Sequence, residues 1–333
     1  MIRIDVSKIK NWELIKKKHS EWYEKNIFLN IKKAHDTLPK KTKSDSIEKY
    51  KELLEKIIEK GKNYVIEEEL FLGYSHDYLI NLIKNLNTAN ISKKCSPRII
   101  FPYDKKFSIN RGEWNRHKLL SLMGIQVCPY CQRNYISSFE ENDDKRTTAD
   151  LDHFYPKSLY PFLALSLYNF IPSCQICNSR FKVSKDAYNS VYPYEESFDD
   201  LGAKFKTSKE IIYEILGKKN SGFFVDIDYG NLKDEDNEKI QNSVSNLGLD
   251  KVYKKSHNHY IKDLLDNIEK YPKNYLESCV EIFNEYYKDE NKKEKIIKYF
   301  IDIVKEPYRK RIVNGEPLAK LTKDILDEFK IKI

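Results

Sequence analysis

The 333-residue sequence predicts a predominantly α protein with a small α+β core, and three observations predict it. Apolar residues recur at helical spacing through most of the first hundred residues and again towards the C-terminus. Between about residues 125 and 195 that period stops, and short runs punctuated by Pro and Asn replace it. Inside that interval lie two Cys-x-x-Cys pairs, Cys128/Cys131 and Cys174/Cys177, at the ligand spacing of a structural zinc ion. Three regions follow from this pattern. Residues 1–111 form a helical N-terminal region, a candidate partner-binding arm; residues 112–195 form the core with the zinc knuckle; residues 196–333 form a mostly helical C-terminal region.

The first strong helix runs from Ser44 to Lys60, where Ile47, Tyr50, Leu54, Ile57 and Ile58 recur with Lys and Glu between them. A second passes through Leu70, Leu79, Leu82, Ile83 and Leu86. Glu113 to Met123 reads as a helix stopped by Gly124, a residue suited to the left-handed C-terminal cap. Ala149 to Phe154 alternates as a strand, closed by Pro156. After Cys174 a helix is expected through Asn178 to Lys185. Gly222 to Tyr229 offers one more strand, and helices then resume, broken at Pro272, Pro307 and Pro317.

Composition removes several classes of function. No apolar run approaches the roughly 18 to 20 residues that span a bilayer, and the N-terminus has no hydrophobic signal core, so a cytoplasmic protein without a membrane role is expected. The formal net charge of +8 suits a polyanionic partner, but the 59 basic residues are mostly Lys, so charge alone is weak grounds for nucleic-acid binding. Its distribution says more: residues 1–60 carry 16 basic against 10 acidic residues, whereas residues 195–250 carry 7 against 13. A phosphate-binding surface should avoid the acidic segment. Six cysteines in a long chain without a signal do not indicate a disulfide framework. Cys95 and Cys279 stand alone and read as small buried residues.

The doubled Cys pair carries the chemistry. Forty-two residues separate Cys131 from Cys174, and closing such a loop costs about 3 kcal/mol. Zinc on four thiolates returns roughly 10 to 16 kcal/mol in small peptides, enough to clamp the ends. A closed four-cysteine site has no open position for substrate, so the reactive groups should lie within the loop. There Asp152 and His153 are adjacent, Asn169 follows the His by sixteen residues, and Asn178 follows by nine more. Asp152 and the Asn178 amide oxygen suit a hard cation such as Mg²⁺. His153 can act as a neutral base at cellular pH, while Asn169 can orient the imidazole or hold the intervening loop. Adjacent strand residues face opposite sides, so Asp152 and His153 can serve one site only if the strand ends there. Lys157, Arg180, Lys182 and Lys185 are candidate phosphate contacts, with Lys182 first because it lies one helical turn from Asn178. His257 and His259 read as part of a solvated face.

The sequence DH, then Asn169, then CxxCN with Lys182 resembles the HNH endonuclease family with its ββα-metal core, over about residues 125–195. The position that gives the family name its last letter holds Asn178 in place of His. The resemblance implies Asp152 and Asn178 as Mg²⁺ (or Mn²⁺) ligands, His153 as general base, Asn169 as the positioning residue and DNA as the expected substrate. More narrowly, DHFYPKS, CNSRFK and VYPYEESFDD are similar to the HNH subunits of Septu-type antiphage systems, which implies an ABC-type ATPase partner. Two other readings use the same cysteines: a zinc knuckle that binds nucleic acid without cutting it, and a CPYC thiol-disulfide redox site, which would need a reactive dithiol and no zinc.

Overall fold

The helix Asp45–Lys60 turns Ile47, Tyr50, Leu53, Leu54 and Ile57 inward at three- and four-residue spacing and ends at Gly61, whose φ of 58° suits a residue without Cβ. It packs on the helices Leu29–Thr37 and His76–Thr88. The latter starts where the Ser75 hydroxyl accepts from the Tyr78 N–H, and it buries Leu79, Leu82, Ile83 and Leu86. In this computed structural model the described residues are all but 41, 90, 109–111, 142–143, 216–221, 231–232, 270–297, 299–301, 303–304 and 333. The expected break at Pro272 and the expected burial of Cys279 lie outside them.

The chain is mostly helical with small two-stranded sheets, and it divides into two units. The first comprises Met1–Tyr130 and Tyr135–Ser197, the second Cys131–Asn134 and Phe198–Ile333. Among the described residues no helix is long and apolar enough to cross a membrane.

In the first unit the helix expected from Glu113 begins at Arg116, because the Asn115 side chain takes the N–H groups of His117 and Lys118 and so fixes the start. Gly124 ends it in the left-handed conformation, as its sequence position requires. Two antiparallel ribbons follow: β1 Ser138–Glu141 with β2 Asp144–Thr147, and β3 Ala149–His153 with β4 Phe170–Cys174. In the second ribbon Ala149 faces Cys174, Asp152 faces Ile171 and His153 faces Phe170. Pro172 sits at the centre of β4 and hides it from a propensity reading; with only two strands, its missing N–H can lie on the unpaired edge. A wide helical segment, Ile176–Lys182, follows at once, with Val183 donating to the Asn178 carbonyl five residues back.

Among its described residues the second unit has one ribbon, β5 Lys204–Thr207 with β6 Val225–Asp228, and helices that include Asp234–Leu247, Leu249–Ser256, Asn258–Glu269 and Ala319–Glu328. Lys320 is buried against Asp324 at 3.0 Å and Asp199 at 2.7 Å, and Asp324 also accepts from the Phe205 N–H. The Gln132 carbonyl takes the Leu318 N–H, and its side-chain oxygen takes that of Lys320. His257 departs from the expected solvated face: it sits at the junction between the helices Leu249–Ser256 and Asn258–Glu269, where it is buried and accepts from Arg133 Nε at 2.7 Å. His259 is exposed.

Candidate metal centre and adjoining cavity

Cys128, Cys131, Cys174 and Cys177 are all buried thiols, and their sulfurs lie within 4.8 Å of one another. Tetrahedral zinc with Zn–S of about 2.3 Å sets its sulfurs roughly 3.8 Å apart, so the cluster is of zinc-ligand type. Local structure places each pair. Cys128 follows the bridge between Val127 and Tyr135, and the turn after Cys131 is closed by Gln132 in the left-handed region, φ 52°. Cys174 ends β4, and Cys177 lies in the wide helical segment directly before Asn178.

The strand β3 ends at His153, which removes the alternation problem. Asp152, His153 and Asn178 line one cavity of about 410 Å³, together with Asp150, Arg116 and Lys157. The Asp152 carboxylate is buried and accepts from Tyr130 Oη at 2.6 Å and from Lys182 Nζ at 3.1 Å. Burial pushes its pKa above the ordinary carboxylate value, with Lys182 and Tyr130 opposing the rise. Asn178 is half-buried and donates from its amide to Asp150 Oδ2 at 2.9 Å, so these two side chains meet directly.

His153 donates from Nε2 to the Ala164 carbonyl at 3.0 Å, which fixes the tautomer and leaves Nδ1 as the lone-pair nitrogen. Tyr103 and Phe170 pack edge-on against the ring at 4.4 and 5.3 Å between centroids. Desolvation lowers its pKa to about 3, and the positive charges of Lys157 and Lys182 add to the effect, so the ring is neutral at cellular pH.

The Asn169 side chain makes its hydrogen bonds to the backbone rather than to the imidazole. Its Oδ1 accepts from the Tyr155 N–H at 2.8 Å, and its Nδ2 donates to the Tyr155 and Leu163 carbonyls, both at 3.1 Å. It therefore ties the two ends of the Phe154–Asn169 loop together. Four consecutive carbonyls of that loop each take a side-chain donor: Phe162 from Tyr64, Leu163 from Asn169, Ala164 from His153 and Leu165 from His19. His19 is held in turn by Trp114, whose indole N–H donates to Nδ1 at 3.0 Å.

Of the basic candidates, Lys182 is expected to share the face of Asn178, and its side chain turns inward instead. It is buried, donating to the His153 carbonyl at 2.6 Å and paired with Asp152, because the wide turn rotates it away from Asn178. Lys157 lines the cavity and pairs with Asp104. Arg180 and Lys185 are exposed and do not line the cavity.

Sequence reasoning missed Tyr130, Asp150 and Arg116. Tyr130 passed as an ordinary knuckle residue, yet it links the zinc turn to Asp152. Asp150 shares the strand parity of Asp152, a signal that a period-two reading contains. Arg116 Nε is buried with no hydrogen-bond partner among the described residues, and no local pattern foretold that it would line this cavity.

Comparison with known proteins finds no matching family model, no similar curated protein and no similar solved structure.

Proposed function

We propose that this protein is a metal-dependent endonuclease of the HNH type that hydrolyses phosphodiester bonds in DNA. The observation that carries the reading is His153, oriented through Nε2 and unprotonated at Nδ1, in one cavity with Asp152 and Asn178. The oxygen donors there, the carboxylates of Asp150 and Asp152 and the Asn178 amide, fit a hard divalent cation such as Mg²⁺ or Mn²⁺. Such an ion supplies Lewis-acid stabilisation of the phosphorane charge and of the leaving 3′-oxygen. His153 Nδ1 takes a proton from the attacking water, whose oxygen forms the new P–O bond as the P–O3′ bond breaks. Arg116 offers the phosphate a guanidinium whose Nε has no partner among the described residues, and Lys157 adds charge in the cavity lining. Lys182 and Tyr130 hold the Asp152 carboxylate in place. The four-cysteine cluster, in this reading, holds zinc and fixes Asn178 through its neighbour Cys177.

The role we infer is effector of an antiphage system working with an ABC-type ATPase. The motif resemblance supports it, and the VYPYEESFDD segment braces the site: Tyr192 and Tyr194 donate to the Tyr168 and Phe170 carbonyls. Burial of Cys128 and Cys131 within the four-thiol cluster argues against redox exchange, which needs an accessible thiolate. The test is cleavage of supercoiled DNA, linear DNA and tRNA with Mg²⁺ or Mn²⁺, with and without the ATPase. Metal-dependent DNA cutting is expected. Binding without cutting under every condition would instead establish the non-catalytic zinc-knuckle reading.

A further inference from the structure

A second cavity of about 450 Å³ adjoins the first, and the two share Tyr103, Lys157 and Ser158 as lining residues. Its volume lies in the range of about 300 to 1,000 Å³ typical of ligand sites. Its apolar lining includes Ile99, Phe101, Pro102 and Pro161. Arg98, Lys105 and Lys106 also line it, whereas the one acidic residue among its described lining residues, Asp104, pairs with Lys157. A cavity lined by both apolar and cationic side chains matches a nucleotide, whose flat base is apolar on its faces and whose phosphates are anionic.

We propose that this cavity seats one unpaired nucleobase of the polynucleotide, flanking the phosphate held at His153; the proposal rests on the nuclease reading above. The shared lining carries the assignment, because a chain with its phosphate in the first cavity can reach the second past Tyr103 and Lys157. A base enters a recess of this kind only when it is free of its pairing partner, so the substrate class is single-stranded or locally unpaired nucleic acid. Ala164, whose carbonyl orients His153, also lines this second cavity, so an occupant would touch the residue that aligns the base.

The test uses the full chain in two forms. Wild-type protein is given end-labelled single-stranded oligonucleotides with one abasic spacer moved along the sequence. Cleavage at one phosphate flanking the spacer should fall about tenfold or more, the size of a lost base-stacking contact, while distant phosphates are unaffected. The non-cutting His153→Ala protein is then photo-crosslinked to the same oligonucleotides carrying 4-thiothymidine. Crosslinks should map to residues 97–106, should weaken at least tenfold on a fully paired duplex, and should vanish in Ile99→Trp, where the indole fills the exposed rim. Normal cutting with no spacer effect, or crosslinks confined to other segments, overturns the base seat and leaves the nuclease reading standing. Crosslinks at 97–106 with a wild-type protein that never cuts support the seat and overturn the nuclease reading. Absence of any binding overturns both.

Discussion

At the scale of single residues, the most consequential group is Lys182. Its ammonium is buried between Asp152 and the His153 carbonyl, so one cation steadies both residues of the Asp-His pair. Removing one partner of a buried ion pair leaves the other charge without compensation. Lys182→Met should therefore destabilise the protein by about 3 to 5 kcal/mol, and adding Asp152→Asn should recover part of that loss. Urea unfolding of the two variants checks it; equal stability of Lys182→Met and wild type would contradict the pairing. His19 makes a prediction in pH. Burial holds its pKa at about 4, below the ordinary value of about 6.5, so the unfolded chain protonates first. Its contribution is intact above pH 6.5 and is lost as pH falls towards 4, reaching about 2 kcal/mol at pH 5. A urea midpoint that does not move between pH 7.5 and 5 would show that His19 is not buried in this way.

At the scale of elements, the loop between β3 and β4 is the part that orients His153. Tyr64, Asn169, His153 and His19 take its four successive carbonyls, and two of those donors come from the helical N-terminal region. Tyr64→Phe leaves the buried Phe162 carbonyl without its side-chain donor and should cost about 1 to 3 kcal/mol, measured by thermal or urea unfolding. Nuclease rate should fall with it, since Ala164 lies two residues away and orients His153. Helices such as Asp45–Lys60 and His76–Thr88 were legible because their apolar period is local, and so was β3 up to its end. The partner strand was not legible, because Pro172 reads as a breaker until the strand is seen to need only one paired edge. The inward turn of Lys182 was hidden too: an i, i+4 argument assumes an α-helix, and the wide turn at Ile176–Lys182 changes the face. Contacts such as His19 to Leu165 span 146 residues and leave no local trace.

At the scale of the whole molecule, the four cysteines were the most readable feature, since paired spacing reports a metal cluster without knowledge of the fold. Tyr130 extends that cluster's reach to Asp152 and makes zinc loss a matter for the cavity as well as for stability. One zinc per chain is expected by metal analysis, and Cys174→Ser should lower zinc content and thermal stability together. Full stability without zinc would refute a structural role. The proposed nuclease depends most directly on His153, and a single-turnover assay on supercoiled DNA with Mg²⁺ compares wild type with a His153→Ala protein of matched zinc content. Wild type should convert the plasmid to nicked or linear product while His153→Ala is slower by about 100-fold or more; equal rates would contradict a catalytic role for His153.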